Sequence, residues 1–311
     1  MRIVRQLLKK KVRGRLQRRL RRIRQLLRSM RRPGKAVGAA IRNNHMTPTT
    51  AAGARLSRWF LYYYWNEQNW SMHSNGEMLL LRTLAAHWSS SPSITVFDVG
   101  ANTGSYTKLV RKTMPNSVVH CFEIIPRTRD SLTANLSGIE DVVISDYGLS
   151  NAETHLEVGF NYDDDSRARV TSTLLAMPKM NEVIACKVQT GDQYLAERNI
   201  EAVDLLKIDT EGHEIAVLEG FRSTLQEAKI RVIQFEYGTT WFAPRHFLHE
   251  AYALLEPAGF YIGRLYPDGV FFKPYDRLED DHFRMGNYVA VHRTCAPLIV
   301  ALNLNGPMGR G

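Results

Sequence analysis

Short, almost wholly apolar runs alternate with amphipathic stretches through the middle of the chain. ITVFDV (94–99), SVVHCFE (117–123), DVVISDY (141–147), VDLLKID (203–209) and IRVIQFEY (230–237) read as strands buried on both faces. Between them, residues 104–114, 126–137, 212–226 and 246–257 place apolar side chains three and four apart, which predicts helices. Such alternation predicts a doubly wound α/β fold, a parallel sheet with helices on both faces. HLEVGF and VIACKVQT, after the third strand, predict an inserted antiparallel pair around the loop NYDDDSRARVTSTLL. GFYIGRLYPDGVFF and GNYVAVHR predict antiparallel strands that close the sheet. The expected division is a basic amphipathic helix over 1–32, a linker over 33–54, a helical extension over 55–93, the sheet domain over 94–293 and a tail over 294–311.

Charge changes the picture at the N-terminus. The formal net charge is +10, yet residues 1–42 hold 17 Lys and Arg and the first acid is Glu67. The remainder carries 24 basic against 31 acidic residues, so a basic arm precedes an acidic body. In that arm Val4, Leu8, Val12, Leu16, Leu20, Ile23, Leu27 and Met30 form one helical stripe, and Pro33-Gly34 ends it. With no acid to oppose them, the arginines would repel in a coiled coil. An anionic lipid surface attracts them instead, by about 1 kcal/mol per basic residue. A partner-binding arm and nucleic-acid or organelle targeting are the alternatives. No run of about 18 apolar residues crosses a membrane, and Cys121, Cys186 and Cys295 lack metal or disulfide spacing. The expectation is a cytoplasmic protein, peripheral at the inner face of the membrane. Nucleic acid is a poor partner, because the acidic body offers no phosphate footprint.

Ligands of open parallel sheets bind beyond the carboxyl ends of the strands. Asp98-Val-Gly100-Ala-Asn102-Thr-Gly104 sits at such an end, with Gly100 placed for a tight turn and Gly104 starting a helix. The spacing departs from GxGxxG, and the acid suits a cationic amino-acid group better than a phosphate. A purely structural turn is the bland alternative. Glu123, ending the second strand, is placed to accept from ribose hydroxyls, and Asp146, after the third, to accept from an adenine amine. Together these point to S-adenosylmethionine. In DLLKIDTEGHEIAVLEG, Asp209, Glu211, His213 and Glu214 crowd one strand end, a candidate acid/base site. Glu211 can equally be a helix-start carboxylate and His213 a helix-surface residue.

VFDVGANTG, the acid of CFE, and above all LLKIDTEGHEIAVLEG with IRVIQFEYG resemble the FkbM family of S-adenosylmethionine-dependent methyltransferases over roughly residues 94–293. The glycine motif is shared by many methyltransferases; KIDTEGHE is much more specific. The resemblance implies a class I methyltransferase (Rossmann-like) fold, seven strands with the last antiparallel, and methylation of oxygen on sugars, glycans or natural products. It implies cofactor roles for Asp98, Gly100, Asn102, Gly104 and Glu123. Methyl transfer is an in-line displacement, and an alcohol needs a base to take its proton. His213, Asp209 and Glu236 are the candidates, His213 first because its ordinary pKa lies nearest neutrality. Tyr237 and Trp241 are expected to offer an apolar face to the acceptor, with Glu211 beside them. No metal is expected, the alternative being a divalent ion on Asp209 and Glu236. A nucleic-acid methyltransferase and a cofactor-binding protein without catalysis are the competing functions.

Overall fold

The computed structural model describes residues 33–161, 164–170 and 182–304. The chain divides into two compact units, Met1–Tyr64 and Trp65–Gly311. The basic helix expected over 1–32 lies outside the described residues. In the first unit the segment expected to be a linker is instead helical, as α1 (Pro33–Asn43) and α2 (Pro48–Tyr64). Its composition misleads because alanine is the best helix former, and Pro33 and Pro48 stand at first helical positions where a missing N–H costs nothing. Thr47 caps α2, its carbonyl accepting from the Ala51 N–H at 2.9 Å.

The second unit begins with α3 (Glu77–His87), β1 (Ile94–Val99), α4 (Ser105–Thr113), β2 (Ser117–Phe122), α5 (Pro126–Leu136) and β3 (Val142–Ser145). A smaller sheet follows, from β4 (Gly148–Leu149), β5 (Thr154–Asn161), β6 (Asp164–Val170) and β7 (Glu182–Gln189). Its β5 and β7 are the expected antiparallel pair, and β6 is a strand where a loop was expected. The chain continues through α6 (Gly191–Arg198), β8 (Val203–Ile208), α7 (Glu214–Glu219), α8 (Arg222–Gln226), β9 (Ile230–Tyr237) and α9 (Leu248–Leu255). It ends with β10 (Phe260–Tyr266), β11 (Gly269–Phe272), β12 (Gly286–His292) and α10 (Ala296–Leu302).

The main sheet runs β11-β10-β12-β9-β8-β1-β2-β3. Strands β3, β2, β1, β8 and β9 are parallel, and β12, the last in sequence, lies antiparallel between β9 and β10. This is the class I methyltransferase arrangement with one additional edge strand, β11. Leu80, Leu84, Val110, Val289 and Leu298 pack on one face, and Phe97, Tyr194, Phe221, Ile233 and Leu255 on the other. Each such buried side chain stabilises by roughly 1.5–3 kcal/mol. The single helix expected over 212–226 is two, with Gly220 and Phe221 between them, and Gly220 packs so closely that a Cβ there would lie 2.1 Å from the Ser150 carbonyl oxygen.

The expected tail over 294–311 is corrected in its first half. Leu298 and Leu302 recur at helical spacing and are 0% and 1% exposed, so α10 belongs to the core; residues 305–311 lie outside the described residues. Replacing Leu298 by Ala is therefore expected to lower the urea-unfolding free energy by about 2–5 kcal/mol. A loss below about 0.5 kcal/mol, the range of neutral surface changes, would return the segment to a tail.

Candidate active site

Strand periodicity builds the site as two rows on one face of the sheet. Asp98 of β1 is in register with Lys207 of β8, and Lys207 with Gln234 of β9. One pleat further toward the carboxyl ends come Gly100, Asp209 and Glu236, since alternate residues share a face.

The inner row is buried and polar. Asp98 is 0% exposed; Thr107 Oγ1 donates to its Oδ2 at 2.7 Å and Lys207 Nζ lies 3.3 Å from its Oδ1. Lys207 Nζ also lies 3.3 Å from Asp209 Oδ2, donates to the Gly100 carbonyl at 3.4 Å, and stands 5.2 Å from the Tyr106 ring centroid. Burial alone would drive the proton off this ammonium, but Asp209, Asp98 and Glu77 together outweigh it and hold the pKa above the ordinary lysine value. Glu77, at the start of α3, accepts from Gln234 Nε2 at 2.6 Å and Asn75 Nδ2 at 2.9 Å; burial raises its pKa against those bonds and Lys207. Lys207 was missed in the sequence. A lone lysine inside the apolar run VDLLKI was the available signal, because a buried ammonium must be paired.

The outer row forms the rim. Gly100 has φ +81°, and a Cβ there would sit 1.8 Å from the Asp209 carbonyl oxygen. The glycine is thus demanded by the neighbouring strand end. Gly104 has φ +87° and is held against Leu132 and Leu136, while Asn102 has φ +48° and its N–H donates to Glu123 Oε2 at 3.0 Å. The other Glu123 oxygen accepts the Ile125 N–H at 2.8 Å, so this carboxylate ties the β1 turn to the end of β2. Asp146 lies in the exposed turn after β3, where its carbonyl accepts from Arg129 at 3.2 Å.

The turn after β8 is shaped by Glu214. This carboxylate is 0% exposed and accepts the N–H of Thr210 at 2.8 Å and of Gly212 at 3.0 Å. Burial pushes its pKa up to about 7, opposed by those backbone bonds. Glu211 takes φ +55°, and a Cβ on Gly212 would meet the Thr240 carbonyl at 2.6 Å, so this turn packs on the one after β9. His213 Nε2 lies 2.9 Å from Ser150 Oγ; burial, with His246 nearby, lowers its pKa to about 4. Glu236 is buried and its Oε2 has no hydrogen-bond partner among the described residues. Burial first, then Asp209, Glu211 and Glu214, raise its pKa well above the ordinary carboxylate value.

Two expected acceptor residues are corrected. Tyr237 and Trp241 are 0% and 1% exposed, with Trp241 Nε1 donating to the Glu236 carbonyl at 3.1 Å and the rings packed edge to face at 5.1 Å. They are core, and the aromatic side chains exposed after β9 include Phe242 and Phe247. Among the described residues no group of three or more His, Cys, Asp or Glu is arranged to hold a metal ion.

The sequence model of the methyltransferase FkbM domain matches residues 98–262. The chain is 24% identical over 157 residues to 2-O-methyltransferase NoeI of Sinorhizobium fredii, covering 47% of this chain and 64% of NoeI. It is 27% identical over 174 residues to hexuronic acid methyltransferase AglP of Haloferax volcanii, covering 55% and 68%. It is 31% identical over 155 residues to 31-O-demethyl-FK506 methyltransferase FkbM of Streptomyces tacrolimicus, covering 42% and 60%. The match thus spans about two thirds of each relative's length or less.

Because Lys207 neutralises a fully buried carboxylate, Lys207→Met is expected to destabilise the protein by about 3–5 kcal/mol in urea unfolding. Adding Asp98→Asn removes the stranded charge and should recover part of that loss. Equal stabilities of the single variant and wild type would show that the ion pair does not hold the rows together.

Proposed function

The chain belongs to the methyltransferase FkbM domain family, and from that premise we propose that it methylates a hydroxyl oxygen of a sugar, glycan or natural product using S-adenosylmethionine. The carrying observation is the rim's surplus of carboxylates. Asp209 and Glu211 lie close enough to Glu236 to raise its pKa, and Lys207 is a cation beside them. Such a set suits a positively charged group, and Glu236 Oε2 retains unspent hydrogen-bonding capacity. When bound, S-adenosylmethionine supplies a methyl carbon activated by a sulfonium. The chain's own residues hold and orient. Gly100, Asn102 and Gly104 shape the turn, and Glu123 fixes it at the end of β2, where its carboxylate is placed to meet ribose hydroxyls. Asp98 acts through Lys207 and Thr107, and Asp146 is left to the adenine.

Oxygen as the acceptor atom is supported by the names of two relatives, which specify 2-O and 31-O positions; the third names a hexuronic acid. Glu236 is the preferred general base over His213. A carboxylate with raised pKa is the stronger base, whereas a histidine held at about 4 is a weak one whose Nε2 already faces Ser150. Asp209, paired with Lys207, orients the rim, and Glu211 contacts the acceptor. A positive charge bound beside Glu236 favours its ionised form, which readies it to take the acceptor's proton.

No described helix is long and apolar enough to cross a membrane. The proposed setting is the cytoplasmic face of an anionic membrane, reached through the acid-free segment that precedes Glu67. Helix α2 supports this: none of its residues is buried, and Trp59, Phe60 and Tyr63 are exposed beside Arg55 and Arg58.

Glu236→Gln is expected to cut turnover at least about 100-fold while S-adenosylhomocysteine binding stays within about threefold by calorimetry. The wild-type rate should rise with pH through a limb above the ordinary carboxylate range, because the base works only when ionised and its pKa is raised. Loss of rate in His213→Ala with Glu236→Gln unaffected would transfer the role to His213. Co-sedimentation with phosphatidylglycerol vesicles should fall on deletion of residues 1–64 and on raising ionic strength from about 0.1 to about 1 M, where screening shortens from about 10 to about 3 Å. Undiminished pelleting of the truncated chain would exclude that segment as the anchor.

A further inference from the structure

The turn after β9 leaves two large apolar side chains in solvent, Phe242 at 68% exposure and Phe247 at 46%. Both rest on one ring. Phe283 lies 5.9 Å from Phe242 at 82° and 5.8 Å from Phe247 at 55°. Beneath it, the buried Tyr237 stacks at 5.7 Å and 30°, and the Tyr237 hydroxyl accepts the Phe283 N–H at 3.1 Å. The exposed pair is therefore braced on the last residue of β9. Phe283 has φ +53° and Arg245 φ +65°, a left-handed conformation that residues with side chains adopt only against strain. Strain on both segments that meet in this cluster means the surrounding packing fixes its shape.

The cluster borders the rim. Trp241, next to Phe242, is bonded to the Glu236 carbonyl, and Thr240 is in close approach to Gly212. Arg245, between the two phenylalanines, is exposed, and its guanidinium makes no hydrogen bond or ion pair among the described residues. Half-buried His246 sits beside it with Nδ1 2.7 Å from Glu250 Oε2. Apolar ring faces with polar donors at their edge match a ligand that has an apolar face and a girdle of hydroxyls.

Resting on the methyl-transfer reading, we propose that Phe242, Phe247 and Phe283 form the acceptor platform, which takes a sugar ring by its C–H face while Arg245 and His246 donate to its hydroxyls. Three rings suffice for one sugar unit and are too few for a lipid or protein interface, which needs a wider apolar area. Contact between aromatic faces and polarised C–H groups supplies the affinity, and the donors supply orientation.

The test is saturation-transfer NMR on the full chain with S-adenosylhomocysteine present, using methyl glycosides of glucose, galactose, rhamnose and glucuronic acid as probes. Saturation of ring protons is expected with the wild type and is expected to fall about tenfold, about 1.4 kcal/mol of binding, in Phe242→Ala/Phe247→Ala. Both side chains are exposed, so folding is spared, and Phe242→Tyr/Phe247→Tyr should restore the signal. Calorimetry should give the same S-adenosylhomocysteine affinity for all three proteins. Equal saturation in wild type and the alanine pair, or none in the cofactor-bound wild type, overturns the platform. A dimer by light scattering that the alanine pair converts to monomer overturns it in favour of self-association. Failure of the wild type to bind S-adenosylhomocysteine overturns the methyl-transfer reading itself, a separate result.

Discussion

The ammonium of Lys207 is the constraint on which the carboxyl edge of this sheet depends. It reaches the acid of β1, the acid at the end of β8 and the carbonyl of the β1 turn, so three backbone segments are positioned by one charge. Glu77 adds the first helix of the domain through its own bond to Gln234. A buried charge that satisfies several partners is costly to assemble and costlier to break. That asymmetry keeps the carboxyl ends of the strands in one arrangement.

Above that layer the rim is built from contacts that leave no room for change. Gly100 touches the Asp209 carbonyl and Gly212 the Thr240 carbonyl, so the turns after β1, β8 and β9 interlock through backbone alone. Glu123 and Glu214 then use carboxylates to hold turn N–H groups. Four acids of the DTEGHE and FEY motifs therefore divide into two kinds. Glu214 is spent on the backbone, whereas Asp209, Glu211 and Glu236 face one another around the rim.

Much of this was legible in the sequence because burial on both faces writes strands as unbroken apolar runs. ITVFDV and IRVIQFEY occupy the expected residues, and the motif acids fall at the expected strand ends. The misreadings have physical causes. An aromatic residue after a strand can be platform or core, and only packing distinguishes Trp241 from Phe242. Residues 33–54 looked like a linker by composition although alanine favours helix, and 296–302 lacked a long enough run to register as one. His213 was ranked first by its unperturbed pKa, which burial and His246 then lower. No local pattern could report that, since the groups responsible lie on other elements.

Glu236 draws an evolutionary consequence from the electrostatics of the rim. A carboxyl whose folded-state pKa is raised above its unfolded value favours the protonated form, so above the ordinary carboxylate range its ionisation weakens the native state. Wherever the folded state must carry that charge the residue costs stability, a cost tolerated under selection for what the rim does. In a lineage released from that selection, drift toward a neutral residue at this position would bring a gain in stability. Decayed copies of such a chain should accordingly shed this glutamate early, while keeping Lys207 and Asp98, either of which is costly to lose while the other remains.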